Sequence, residues 1–96
     1  MITGKQRSRL RGMANALEPI FQIGKGGIGE NLAEQVSLAL EARELVKISV
    51  LDTADISARE AGDILAKRLG AEVVQSIGRK FVLYRKSKEN QRIVLD

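Results

Sequence analysis

Apolar residues along the chain fall into alternating helical and strand-like patterns. Leu10, Met13, Ala14 and Leu17 stand at i, i+3, i+4 and i+7, and Thr3 with Gln6 has capping-box spacing, so residues 4–17 read as a helix with one apolar stripe. Pro19 ends it, because proline disfavours a helical conformation in the residue before it, and Ile20 to Ile23 follow as a short strand. A second helix carries Leu32, Val36, Ala39 and Leu40 and ends near Arg43. From Leu45 to Leu51 the period changes to two, with Val46, Ile48 and Val50 on one face and Lys47 and Ser49 on the other, as in a strand covered on one side. After a polar DTADI linker, Ser57 and Glu60 make another capping box. Ala61, Ile64, Leu65 and Leu69 then give that third helix its inner face, and Gly70 its stop. EVVQSI and KFVLYR are strand-like and joined by Gly78 and Arg79, a two-residue hairpin whose leading glycine suits a type II′ turn.

The order αβαβαββ predicts an α/β fold: one domain over residues 1–96, with three helices packed on an open mixed four-stranded sheet. Residues 87–96 are expected to stay loose or to add a short edge strand. Phe21, Phe81 and Tyr84 are the only aromatics, and in so aromatic-poor a chain they are expected in the core, Tyr84 showing an edge.

Between the first strand and the second helix lies IGKGGIG, which fits two phosphate-binding patterns. Gly24, Gly26 and Gly29 spell GxGxxG, the dinucleotide fingerprint, and Asp52 comes 23 residues after Gly29, near where a ribose-binding acid belongs. Against this, such a site needs two mononucleotide halves and usually six parallel strands, and PIFQI is short, begins with proline and carries Gln22. Gly24 and Gly27 instead spell GxxG, a clamp in which glycines let backbone N–H groups approach a sugar-phosphate chain while the next helix start favours its charge. Lys25 adds a cation inside it. The GxxG of a KH domain joins two helices, however, whereas this one follows a strand. The remaining reading is a tight strand-to-helix turn and nothing more.

Composition narrows the chemistry. The 96 residues contain no cysteine and no histidine, which removes disulfides, thiol nucleophiles, zinc sites built on Cys or His, and imidazole acid/base catalysis. Asp52, Asp55, Glu60 and Asp63 could be imagined as a catalytic or metal-binding group, but acids at a helix start are ordinary and Glu60 is explained by its cap. The chain is expected to be no enzyme and to need no cofactor or metal. No apolar run reaches the roughly 18 residues that span a bilayer, and no hydrophobic segment follows the charges of the N-terminus, so a cytoplasmic monomer without membrane association is expected.

The formal charge of +4 favours a polyanionic partner, and its distribution is uneven. Residues 1–29 carry +4, residues 30–78 carry −4 and residues 79–96 carry +4. Lys5, Arg7, Arg9 and Arg11 have no acid before Glu18 with which to form helical ion pairs, so they are candidates to face RNA. Arg79, Lys80, Arg85 and Lys86 around the last hairpin are the second such group. If the fold brings both chain ends beside the glycines, they form a single cationic groove.

The segments GKQRSRLRGMANALEPIFQIGKGGI, ALEARELVKISVL and GAEVVQSIGRKFVLYRKSKEN together resemble the bacterial YhbY family, the stand-alone form of the CRM domain found also in plant organellar splicing factors. That resemblance implies a small α/β domain related in fold to the C-terminal domain of a bacterial translation initiation factor. It also implies RNA binding through the loop Gly24, Lys25, Gly26 and Gly27 and an adjoining basic surface, and association with precursors of the large ribosomal subunit. A small-molecule substrate is not expected. The alternative from another class is a protein-interaction adaptor whose acidic second and third helices dock a partner, with a purely structural glycine loop.

Overall fold

Short-range hydrogen bonds set three of the helix ends. In the computed structural model, which describes residues 2–95, helix α1 (Gly4–Ala14) begins with a reciprocal cap: Thr3 Oγ1 accepts the Gln6 amide at 3.1 Å and Gln6 Oε1 accepts the Thr3 amide at 2.9 Å. Helix α3 (Ala58–Leu69) repeats the device with Ser57 and Glu60, at 3.1 and 3.2 Å, and closes on Gly70 at φ +66°. Helix α2 (Glu30–Arg43) starts from Gly29 without a side-chain cap. It ends at Glu44, whose φ of +67° is the one positive value at a non-glycine among the described residues.

α1 is shorter than the 4–17 span its apolar spacing predicts. The Leu17 amide bonds back to Ala14, a tightened final turn, and Pro19 prevents the helix from resuming.

Strands β1 (Phe21–Ile23), β2 (Leu45–Val50), β3 (Glu72–Ile77) and β4 (Lys80–Tyr84) form one sheet in the order β1-β2-β4-β3. β1 and β2 are parallel, and the other two pairings antiparallel, so the sheet is open and mixed. At the β3–β4 hairpin Gly78 has φ +59° and Arg79 does not share the positive sign, as a type II′ turn requires.

Both faces of the sheet are covered, but unequally. α2 and α3 pack on one face, where Ile23, Val46, Ile48, Val50, Phe81 and Leu83 meet the buried positions of the two helices. α1 lies on the other face, where Leu10 and Ala14 pack with Leu45, Val82 and Tyr84, and where the tail adds Ile93. β2 is therefore apolar on both faces only at its Leu45 end. All three aromatics pack as expected: Phe81 and Tyr84 are buried and Phe21 rests half-buried against the larger core.

α3 turns its smallest side chains towards the sheet. Its buried positions are Ala58, Ala61, Gly62 and Leu65, while Ile64, expected inside, is 47% exposed. A Cβ at Gly62 would sit 3.2 Å from Phe81 Cδ2, a tight contact that the ring would have to yield to by a few tenths of an ångström, so glycine lets the helix settle low on the ring without strain. Gly62→Val should therefore destabilise the fold by about 1–3 kcal/mol through overpacking, measurable as a lower urea midpoint at constant slope.

Residues 87–95 form no strand. They are held by two carboxylates at the end of α2. Glu44, fully buried, accepts the Ser87 amide at 2.8 Å, the Ile93 amide at 2.7 Å and also the Arg92 amide. Glu41 accepts the Ser87 hydroxyl at 2.6 Å and the Lys88 and Glu89 amides at 3.1 and 3.2 Å. Burial alone would raise the Glu44 pKa, but the three amides, with Lys86 nearby, outweigh it and hold the carboxyl below its ordinary range. Glu41 is lowered as well, chiefly by the Ser87 hydroxyl and then the Lys88 amide.

Candidate nucleic-acid interface

The glycine segment leaves the sheet at the end of β1, where the Ile23 carbonyl accepts the Leu51 amide at 2.8 Å. A bond of 3.0 Å from the Gly27 amide to the Gly24 carbonyl closes a four-residue turn with Lys25 and Gly26 at its corners. Lys25 is exposed. The glycines are not equivalent. Gly27 adopts φ +69°, which a side chain would strain, so its identity is demanded by the backbone. Neither Gly24 nor Gly26 has a positive φ; a Cβ at Gly24 would make only an ordinary 3.5 Å contact with Leu51, and at Gly26 it would meet nothing within 4 Å. Two of the three glycines could therefore carry side chains without strain.

Strand register shows which cations join this turn. Ser49 pairs with Lys80, and the Arg79 carbonyl accepts the Val50 amide at 2.7 Å, so the hairpin tip lies at the same end of the sheet as the glycines. Arg79 and Lys80 are both exposed there. Arg85 and Lys86 follow Tyr84, which pairs with Leu45 at the opposite end, about 14 Å along the strand from Lys80. The Arg85 guanidinium is committed to the protein: it bonds the Ser37 hydroxyl at 3.2 Å, the Ser37 carbonyl at 2.8 Å and the Leu69 carbonyl at 3.0 Å, tying α2 to the end of α3.

The helix cations divide as well. Arg7 bonds the Val73 carbonyl and Arg11 Nε the Val74 carbonyl at 3.3 Å, both at the bulge where β3 shifts register. With Arg59 and Asp63 they line a cleft of about 590 Å³ beside β3. Lys5 and Arg9 are exposed on α1. The first and last described segments do not flank the glycines: the Ile2 amide bonds Glu72 at 3.2 Å and the tail docks on Glu44, both at the far end of the sheet. The groove expected from the two chain ends is thus divided, and the glycine end receives the hairpin tip.

Two cations missing from the sequence-based set complete this end. Lys47 is half-buried on the α1 side of β2, two register pairs from the Ser49–Lys80 row, and Arg59 opens α3. Lys47 was legible as the polar member of an alternating strand; Arg59 gives no signal among ordinary helix-surface charges. Glu30 opens α2 and Asp52 and Asp55 follow β2, so acids also stand near this end. Among the described residues no group of three or more acids is placed to hold a metal ion, and Glu60 is occupied by the Ser57 amide.

The match with known proteins covers the same architecture. The CRS1/YhbY (CRM) domain model matches residues 2–85. The "Probable RNA-binding protein YqeI" of Bacillus subtilis (strain 168) is 47% identical over 95 residues, 99% of each chain. An "RNA-binding protein" of Haemophilus influenzae is 31% identical over 88 residues, 92% of this chain and 89% of that one. The solution structure of SAV1595 from Staphylococcus aureus superposes with a TM-score of 0.79 at 45% identity and full coverage of both chains. The protein belongs to the CRS1/YhbY (CRM) domain family.

Proposed function

We propose that this protein binds RNA, holding a stretch of sugar-phosphate backbone at the Gly24–Gly27 turn while Lys25, Lys47, Arg79 and Lys80 neutralise phosphates beside it. The supporting observation is the pair Gly24 and Gly26, side-chain-free where the fold itself has space. A missing Cβ that no neighbour requires is what a close-lying RNA backbone needs. Glu30 sits in the first turn of α2 and repels phosphate, so the strand leaves the turn away from the helix start. The RNA is that of the large ribosomal subunit or its precursor particle, and the role is assistance in assembly, without catalysis. The family relationship and the relatives named as RNA-binding proteins support the first half of this reading.

Two glycine substitutions separate structure from grip. Gly26→Ala should leave stability unchanged or slightly raised and weaken RNA binding about tenfold. Gly27→Ala should cost the fold about 1 kcal/mol or more, because it forces a side chain into the left-handed region. Thermal melts and fluorescence anisotropy with ribosomal RNA fragments read the two effects. A Gly26→Ala protein that binds as well as the parent would reduce the turn to a structural element. Co-purification with precursor particles that persists after ribonuclease digestion, from a protein with no RNA affinity of its own, would point to the adaptor.

A further inference from the structure

The half of the sheet that α1 leaves uncovered adjoins the glycine turn. The register runs Gln22 to Ser49, Ser49 to Lys80 and Lys80 to Ile77, so one residue from each strand forms a row facing away from α2 and α3. Gln22, Lys80 and Ile77 are exposed, Ile77 to 67%, and Ser49 is half-buried. Behind the row, Gln75 and Asn15 help to line a cleft of about 180 Å³ that also reaches Lys80 and Ile77. Within the described residues, the side chains of Gln22, Ser49, Gln75 and Asn15 form no hydrogen bond to the protein. The row spans about 14 Å from β1 to β3 at ordinary strand spacing. Gln22 begins it, two residues before Gly24.

We infer that this open row takes unpaired nucleotides of the same RNA strand held at the glycine turn, with Gln22, Gln75 and Asn15 reading base edges and Lys80 meeting a phosphate. The inference rests on the RNA-binding reading above and adds base recognition to it. Three physical points favour this occupant. Amide side chains carry a donor and an acceptor side by side, the pattern that pairs with an exposed base edge, whereas a phosphate offers acceptors alone. The row is a floor beside α1, and a helix is about 10 Å thick, so a rigid A-form duplex is held off it while a flexible strand can lie on it. Stacking does not compete as the source of affinity, because Phe21 and Phe81 point into the core and Tyr84 is buried at the far end; Ile77 is the apolar surface on which a base can rest.

The test is fluorescence anisotropy at fixed salt with short homopolymers of uridine, adenosine and cytidine and with a blunt RNA duplex. The parent protein should prefer single strands to the duplex and one homopolymer over the others by about tenfold, the discrimination expected of one good bidentate contact. Gln22→Ala with Gln75→Ala should flatten that preference to about twofold without changing the salt slope or the melting temperature. Lys25→Ala should weaken all three homopolymers alike. Equal affinity for all homopolymers, a duplex bound as tightly as a strand, or a preference untouched by the double variant overturns base reading and leaves RNA binding standing. No binding to any RNA at low salt removes both.

Discussion

Glu44→Ala should cost the fold about 2–4 kcal/mol, the largest stability effect expected of any single replacement outside the hydrophobic core. The residue has one side chain and three backbone clients. Its carboxylate receives the amides of Ser87, Arg92 and Ile93, and Ile93 in turn packs against the core beneath α1. Deleting the carboxylate would strand those amides, and the tail would then leave for water, which caps the cost at the free energy of docking. The φ of +67° gives an internal check. Alanine is as strained there as glutamate, but glycine is not, so Glu44→Gly should be more stable than Glu44→Ala by about 1 kcal/mol. Urea denaturation gives the order, and hydrogen exchange at the Ser87, Arg92 and Ile93 amides locates the loss. An alanine variant as stable as the parent would mean that the tail contributes nothing to the fold.

Acid should act on the same cradle. A carboxyl whose pKa is lower folded than unfolded stabilises the fold above its unfolded value, about 4.3 for glutamate, and that contribution fades as pH falls through the lower folded value. Glu44 and Glu41 are both lowered, so tail protection should be constant near neutrality and fade below about pH 4. Protection that instead disappeared on raising the pH would contradict the assignment of these two groups as acceptors.

Removing Lys25, Lys47 and Lys80 together should weaken RNA binding on the order of a hundredfold at low salt, taking roughly 1 kcal/mol, the typical net worth of a hydrogen bond, for each phosphate contact at a solvent-accessible side chain. The salt dependence is the sharper reading. If about six phosphates are neutralised, log affinity falls against log salt with a slope near −4 for a single strand, and leaving three of them without a cation makes it shallower by about 2. Lys86→Gln, at the opposite end of the sheet, should leave the slope alone. A slope that ignored the triple variant but fell with Lys5 and Arg9 replaced would move the phosphate track onto α1.

The features legible in the sequence are those decided within a few residues. Thr3 with Gln6, Ser57 with Glu60, and the glycines at 70 and 78 each close a local hydrogen-bonded unit, and the structure has all of them as read. The alternation in β2 correctly separated the core face from Lys47 and Ser49. What could not be read depends on partners far along the chain. Ile64 is outside while Gly62 faces Phe81, a contact between α3 and a strand that follows it. Arg85 looks like any surface cation until Ser37 and Leu69 are placed around it. Glu44 looks like one more helix acid, and only the return of the tail more than forty residues later makes it a buried acceptor. The same limit applies to the candidate site: the turn chemistry of Gly24 to Gly27 is local, whereas the company of Lys80 and Gln22 follows from sheet order.

The bulge in β3 bears on solubility. β3 is one of the sheet's two edge strands, and such borders invite pairing between molecules, a first step towards aggregation. Two successive carbonyls at its irregular point are already occupied by Arg7 and Arg11 reaching down from α1. The first helix therefore acts as a guard rail along that border, so a protein truncated before Phe21 would lose a layer of core and at the same time expose an adhesive flank.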